Sequence, residues 1–432
     1  MKVKTHMQVN RRQFLKNSAA FSAGFSAPLI LPSRVLGREG NIAPNSKFAM
    51  GLIGCGAQGG GDTAHFVNTG RVEFTAFCDP DTARREAFKV KFGAKSGAQT
   101  YNDFRELLAR PDLDAVVIAT PDHWHAIPAI AAARAGLDIY CEKPLSLTIR
   151  EARAMVTAVR QNQRVFQTGS QQRSHGEFRH ACEIVRNGLI GKVREVFVRG
   201  GAPSRECDLP PEPVPAGVNW NMWLGPSPWR PFNGRIHPGW RSWRDYAGGG
   251  TTDWGAHHFD IVQWAFGMDA SGPVEILPPD GKERPCLALR YANGALVYHA
   301  YDDAAKKLNW PDEPEGDGYG ITFVGEHGWI EVDRSHIRTH PDTLARWHPG
   351  PNDIHLQRNV GHHLNFLDCI HTRQRPICDV EVGCRSVTVC HLANIGHWLQ
   401  QPFHWDPVRE QIPDNPAAAL WLDRAKREPW AV

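Results

Sequence analysis

The chain has 432 residues, with 49 Lys and Arg against 46 Asp and Glu, a length that implies two domains, each with its own core. Seven of the basic residues (Lys2, Lys4, Arg11, Arg12, Lys16, Arg34, Arg38) fall in the first 40 positions beside one acid, Glu39, leaving 42 basic against 45 acidic residues in the body. With no basic run there, a nucleic-acid partner is not expected, because phosphate binding needs clustered Lys and Arg.

Residues 1–40 read as a twin-arginine signal with a short linker. In NRRQFLKNSAAFSAGFSAPLILPS the pair Arg11-Arg12 precedes Phe-Leu-Lys and a weakly apolar run from Asn17 to Leu31. That run is shorter and richer in Ser, Gly and Ala than the roughly 20 apolar residues that span a bilayer. No later segment does better, so the mature chain is expected to have no stable membrane insertion. The expected partner is the twin-arginine export machinery and the expected location is the periplasm. Ten cysteines scatter from Cys55 to Cys390 without a CxxC pair, as suits buried thiols in a cargo that folds in the reducing cytoplasm.

From residue 45 to 170 short apolar runs (FAMGLIG, VEFTAFC, LDAVVIAT, LDIYC, RVFQTG) alternate with segments of helical period (DTARREAFKVKFG, YNDFRELLAR, HAIPAIAAARAG, LTIREARAMVTAVRQ). Strands joined by crossover helices give a parallel, doubly wound sheet. GLIGCGAQGGG follows the first strand and places Gly54, Gly56 and Gly59 at GxGxxG spacing, with Gln58 inside the loop. Glycines there permit a tight turn and close approach of a pyrophosphate to a helix N-terminus. Asp79 ends the next strand 20 residues after Gly59, where a carboxylate meets the ribose hydroxyls. Asp79 favours NAD, with NADP as the alternative because Arg84 and Arg85 follow.

Residues 171–432 form the second domain. GEFRHACEIVRNGLIG reads as a helix ending at Gly188, and KVREVFVRG as a strand. Gly201 to Tyr246 holds nine prolines and five tryptophans, too aromatic for a free linker, and is read as an ordered excursion over the active side. CLALRYANGALVYHAY is a hairpin turning at Asn293-Gly294, and GITFVGEHGWIEVDR a second hairpin. An α+β domain with an open, mainly antiparallel sheet follows, and the C-terminal helical stretches GHHLNFLDCIHT and VGCRSVTVCHLANIGHWL are expected to pack back on the first domain. In GGGTTDWGAHHFD, Asp253 and His257 lie four residues apart on one helical face, so Asp253 is placed to fix the His257 tautomer. Thr251 or Thr252 caps that helix, Gly248 to Gly250 let backbone approach a ligand, and His258 points into the core. Most of the seven tryptophans between Trp220 and Trp264 are read as packing, with stacking on sugar rings as the alternative. Nothing in the histidine spacing demands a metal, and none is expected.

Taken together, GLIGCGAQG, ATPDHWHAIPAIAAARAGLDIYCEKPLS and GGGTTDWGAHHFDIVQW resemble the Gfo/Idh/MocA family of oxidoreductases over nearly the whole chain after the leader. The resemblance implies a Rossmann domain followed by an open antiparallel sheet, NAD or NADP, and sugars, cyclitols or their glycosides as substrates. Glu142-Lys143-Pro144 matches the EKP element, whose lysine lies between nicotinamide and substrate. Asp253 and His257 match the family's supporting aspartate and acid/base histidine, and Thr120, Pro121 and His125 the segment beside the nicotinamide ribose. Gln172 and Arg173 fall where the family places polar residues that touch substrate or cofactor.

The chemistry is consistent with that trio. Oxidising a secondary alcohol removes a hydride from carbon and a proton from oxygen, so a base such as His257 meets the hydroxyl while Lys143 stabilises developing alkoxide charge. The expected activity is an exported NAD(P)-dependent oxidoreductase with a tightly retained cofactor, since the periplasm offers no nicotinamide pool. Two alternatives stand beside it: an NAD-dependent glycoside hydrolase working by transient C3 oxidation and elimination, and a non-catalytic sugar-binding protein. A homo-oligomer through the open sheet is also expected.

Overall fold

The computed structural model describes residues 47–308 and 320–432, so the leader lies outside the described residues. Residues 48–432 form one compact unit containing two sheets. Among the described residues no helix is long and apolar enough to cross a membrane.

The first sheet is parallel throughout, in the order β3-β2-β1-β4-β5-β6. Its strands are β1 (Phe48–Ile53), β2 (Val72–Cys78), β3 (Gln99–Tyr101), β4 (Ala115–Ile118), β5 (Asp138–Cys141) and β6 (Phe166–Thr168). Helices α1 (Ala57–Asn68), α2 (Thr82–Phe92), α3 (Phe104–Leu108), α4 (Ala126–Arg134) and α5 (Ile149–Gln161) connect them. Strands β4 and β5 are buried at every position because helices cover both faces, which is why AVVI and DIYC carry no polar alternation. Helix α5 starts sharply on a capping box: Thr148 Oγ1 accepts from Glu151 N at 3.2 Å, and Glu151 Oε2 accepts from Thr148 N at 3.1 Å. The strand order reverses between β1 and β4, and a doubly wound sheet opens a ligand crevice at that point.

The second sheet runs β13-β12-β11-β7-β10-β9-β8-β14 and is antiparallel except for the β7–β10 pair. Its strands are β7 (Val193–Arg199), β8 (Glu275–Leu277), β9 (Ala288–Arg290), β10 (Leu296–His299), β11 (Gly320–Gly325), β12 (Trp329–Val332), β13 (Ile337–His340) and β14 (Phe403–His404). Both expected hairpins form, β9–β10 around Gly294 at φ +91° and β11–β12. Helix α6 (Gly176–Arg186) precedes the sheet, and Gly188, at φ +71°, stands just past its end. The Pro- and Trp-rich passage contains α7 (Trp220–Leu224), and the glycine-rich stretch yields α8 (Gly250–Asp253) and α9 (Gly255–Phe266).

Two tail helices pack on the first domain, and the second of them joins the two cores. Phe366 and Ile370 of α10 (His362–Thr372) pack into the first domain with Phe66 and Tyr140. Helix α11 (Val380–Leu399) puts Val380, Cys384 and Val387 into the first domain and Val389, Leu392 and Ile395 into the second, so it is apolar nearly all round.

A buried charge cluster binds the same elements. Arg173, in the turn after β6, donates to Asp260 of α9 through Nε at 2.8 Å and Nη2 at 2.9 Å, and through Nη2 to Asp269 at 2.7 Å. Its side chain is 1 % exposed and that of Asp260 0 %, and Ser386 of α11 donates to the same carboxylate. Removing one partner of such a pair strands the other charge away from water. Arg173→Met is expected to cost about 3–5 kcal/mol of unfolding free energy in urea titration, and the double variant Arg173→Met/Asp260→Leu to recover part of it.

Candidate active site

A cavity of about 790 Å³ opens where the first sheet reverses, within the roughly 300–1,000 Å³ typical of small-molecule and cofactor sites. The three glycines of the β1–α1 turn have separate tasks. Gly54 stands at φ +100°, and a Cβ there would meet the Ala119 carbonyl oxygen at 2.6 Å. A Cβ on Gly59 would meet the Gly54 carbonyl oxygen at 2.3 Å, so this glycine lets helix sit on strand. A Cβ on Gly56 would meet only Arg84 Nη1, at 4.0 Å. Gly56 borders open cavity, and it is also the N-cap of α1 with no side-chain cap, which leaves N–H groups free for an anionic ligand. A dinucleotide therefore fits the residues present, with its pyrophosphate over Gly56.

Asp79 directly follows β2 on the cavity wall. Its two oxygens accept from Cys55 N and Asp81 N, each at 2.8 Å, tying the glycine turn to the strand end. Burial pushes this carboxyl up to about 6 against the pull of those donors and of Arg84. Gln58, Thr120, Pro121, Glu142, Lys143 and Asp253 also line the cavity, whereas Gly59, His125, Gln172, Arg173 and His257 do not. Glu142 is 3 % exposed and accepts from Gln171 Nε2 at 2.8 Å; burial, then the neighbouring Asp62, push its carboxyl up to about 8.

Lys143 and Asp253 come together across the two domains. Lys143 Nζ donates to Asp253 Oδ1 at 2.6 Å and to the Asp253 carbonyl at 3.0 Å. Arg241 Nε lies 3.5 Å from Asp253 Oδ2. Burial opposes ionisation of Asp253, but these two cations outweigh it and hold the carboxyl below the usual carboxylate range. The expectation that Asp253 fixes the His257 tautomer is corrected: its carboxylate faces an ammonium, and His257 Nδ1 is buried without a partner. Burial first, then Lys143, Arg334, His258 and His362, drive the His257 imidazole well below 6.5, so it is neutral at working pH.

Other placements depart from expectation. Arg173 lies in the buried cluster with Asp260 and Asp269, off the cavity wall. Gln172 is buried behind His257, its amide oriented to donate to the His257 carbonyl and to accept from Arg334 Nε, each at 3.2 Å. His125 has its ring nitrogens 2.7 Å from the Pro144 carbonyl and 2.8 Å from that of Thr120, bracing the two loops that carry Thr120 and Lys143. Neither threonine caps α8: its N-cap is Gly249, Thr252 Oγ1 approaches Gly249 O and Asp122, and Thr251 Oγ1 has no partner. In the glycine run only Gly249 reaches the cavity. A Cβ on Gly250 would meet Gly201 Cα at 2.2 Å, so the close approach is made by the passage starting at Gly201. His258 is buried, with Nδ1 against the Arg199 carbonyl.

Asp122 was not singled out by sequence, although it directly follows Thr120-Pro121. It is 2 % exposed on the cavity wall, its Oδ1 lacks a partner, and burial, then Asp253, push its carboxyl up to about 7. The Pro- and Trp-rich passage also enters the wall through Met222, Trp223, His237, Trp240 and Arg241. Its aromatic content was the only sequence signal that it is ordered.

Comparison with known proteins places two family models on this chain. Residues 48–170 match the oxidoreductase family NAD-binding Rossmann fold (GFO_IDH_MocA), and residues 197–432 the oxidoreductase family C-terminal alpha/beta domain (GFO_IDH_MocA_C2). An alpha-N-acetylgalactosaminidase of Shewanella oneidensis is 31% identical over 204 residues, 43% of this chain and 44% of that protein. The chain spans less than half the length of the curated relatives it matches. The WlbA dehydrogenase of Bordetella pertussis, crystallised with NADH and UDP-GlcNAcA, superposes with a TM-score of 0.58 at 20% identity, covering 82% of this chain and 98% of its own. The aldose-aldose oxidoreductase of Caulobacter crescentus, with glycerol, also scores 0.58 at 20% identity, covering 83% and 99%.

The glycine geometry separates folding from binding. Gly56→Ala is expected to keep the wild-type melting temperature while weakening NAD binding at least tenfold in calorimetric titration, about 1.4 kcal/mol. Gly59→Ala should instead lower the melting temperature, because its Cβ would meet backbone.

Proposed function

The chain belongs to the Gfo/Idh/MocA family of oxidoreductases, and from that premise we propose that it oxidises or reduces a secondary hydroxyl of a sugar, cyclitol or glycoside with NAD. The observation that carries this reading is the 2.6 Å Lys143–Asp253 pair on the wall of the cavity that Gly56 and Asp79 also line. When bound there, the dinucleotide supplies the hydride acceptor or donor. Gly54, Gly56 and Gln58 would hold its pyrophosphate end, Asp79 the adenosine ribose, and Thr120, Pro121 and Glu142 the nicotinamide end. A buried carboxyl at Asp79 favours NAD over NADP, because a 2′-phosphate would add negative charge beside it.

The residues divide the proton work. Lys143 donates a hydrogen bond to the reacting oxygen and stabilises its developing negative charge, while Asp253 keeps the ammonium in place. His257, neutral and one helical turn past Asp253 but off the cavity wall itself, is the base proposed for the hydroxyl proton. The twin arginines of the leader support export to the periplasm, which in turn requires a cofactor loaded in the cytoplasm and regenerated while bound. A second reading, a glycoside hydrolase acting through transient oxidation and elimination, is favoured by the Shewanella oneidensis relative's name. Product analysis separates them: aglycone released without a net keto sugar marks the hydrolase, and a keto sugar marks the oxidoreductase.

His257→Ala is expected to lower kcat about 10²- to 10⁴-fold while the protein still carries NAD after purification. Turnover at the wild-type rate would remove His257 from the mechanism. With the His257 pKa depressed, its acid limb in the pH–rate profile falls below 6.5. Lys143→Gln removes one of the cations responsible, so that limb should move up in the residual activity. For export, Arg11→Lys/Arg12→Lys should leave the protein in the cytoplasm on cell fractionation, and normal periplasmic recovery would refute the twin-arginine route.

A further inference from the structure

We infer that residues 217–246 form the second wall of the dinucleotide site, and that the C-terminal stretch 427–430 latches this wall and thereby sets how long a dinucleotide stays bound. The inference rests on reading the cavity as a dinucleotide site, and extends it to segments outside the Rossmann motifs.

The passage closes on the first domain at two places that flank that cavity. Near Asp79, Thr82 N donates to Gly217 O at 3.0 Å, Asn219 N donates to Pro80 O at 2.9 Å, and His237 Nε2 lies 3.7 Å from Asp81 Oδ2. Beside Thr120 and Pro121, His123 N donates to Tyr246 O at 3.2 Å, and Trp124 Nε1 donates to Trp223 O at 2.9 Å. Between these feet the passage has its own small core. Trp220 and Trp223 stack at 4.6 Å, and Phe232, Trp243 and Tyr246 pack around them. Trp223, His237 and Trp240 then face the same cavity as the glycine turn. A ligand lying along the strand ends thus has protein on its outer side, gripped at both of its ends.

The C-terminal stretch secures that wall from outside. Arg427 donates from Nη1 to Asn221 Oδ1 at 2.6 Å, from Nη2 to Asn221 O at 2.9 Å and from Nε to Gly225 O at 3.0 Å. Asn221 lies in α7 and Gly225 is its C-cap, so the guanidinium sits at the C-terminal end of that helix, where a cation is favoured. Trp430 packs edge-on against Trp124 at 4.7 Å and near Phe104 at 6.2 Å, with the Arg105 guanidinium 4.9 Å from its ring. Neither Arg427 nor Trp430 lines the cavity. Removing them lowers the free energy of opening the wall while the groups that would touch the ligand stay in place, so the effect falls on dissociation.

The test uses the full chain loaded with NAD and chased with excess etheno-NAD, followed by fluorescence. Trp430→Ala is expected to speed exchange about tenfold, from the loss of two aromatic contacts and one cation–π contact, and Trp430→Phe to restore most of the slow rate. Arg427→Gln keeps tail length and polarity, and tests the latch even where Trp430→Ala does not fold. Exchange at the wild-type rate in the folded variants overturns the latch. Wild-type exchange within the mixing time overturns the retained cofactor instead; the latch is then judged by NAD affinity, expected to weaken about tenfold in the variants, with unchanged affinity refuting it. A wild-type chain that binds no NAD overturns both readings.

Discussion

Taking a charge out of water is costly unless a counter-charge comes with it, and the joint between the two sheets is organised around that constraint. Lys143, two residues past β5, and Arg173, in the turn after β6 where the second domain begins, each find a carboxylate on the short helical pair α8–α9. The two pairs differ in exposure. Arg173 and Asp260 are sealed and packed beneath α11, whereas Lys143 and Asp253 keep contact with the cavity. One pair therefore belongs to the scaffold, and the other is placed where a substrate oxygen can compete for the ammonium.

The cavity inherits its electrostatics from this arrangement. Three carboxyls around it, Asp79, Asp122 and Glu142, are pushed upward by burial, while Asp253 is held down by Lys143 and Arg241. Groups of one chemical type are thus given different proton affinities by their surroundings, a condition that acid/base chemistry at neutral pH exploits. The neutral state of His257 follows from the same field, since nearby cations and burial both disfavour its protonation.

Local patterns were legible wherever the physics is local. Alternation of apolar runs and helical periods marked the parallel sheet, Asn293-Gly294 marked a hairpin, and the spacing of Gly54, Gly56 and Gly59 marked a strand–turn–helix with an open middle position. Reading was less successful where a side chain chooses among distant partners. Spacing of four residues paired Asp253 with His257, but an ammonium 110 positions away binds the carboxylate. The three glycines before Asp253 suggested a ligand, and packing against Gly201 explains Gly250. His125 and Gln172 stand near the residues expected of them, but as braces behind the cavity wall.

The sequence by itself determined the fold class, the place of the dinucleotide crevice and the residue types available to it, because turn geometry, strand burial and glycine clearance depend on neighbours a few positions away. Tertiary structure alone decided which charges are spent on holding the two sheets together and which face the cavity. It also brought the tryptophan-rich passage onto the cavity wall and residues 427–430 against that passage and Trp124. Those outcomes depend on Coulomb energy and desolvation between groups brought together only by folding, and no spacing in the chain encodes those distances.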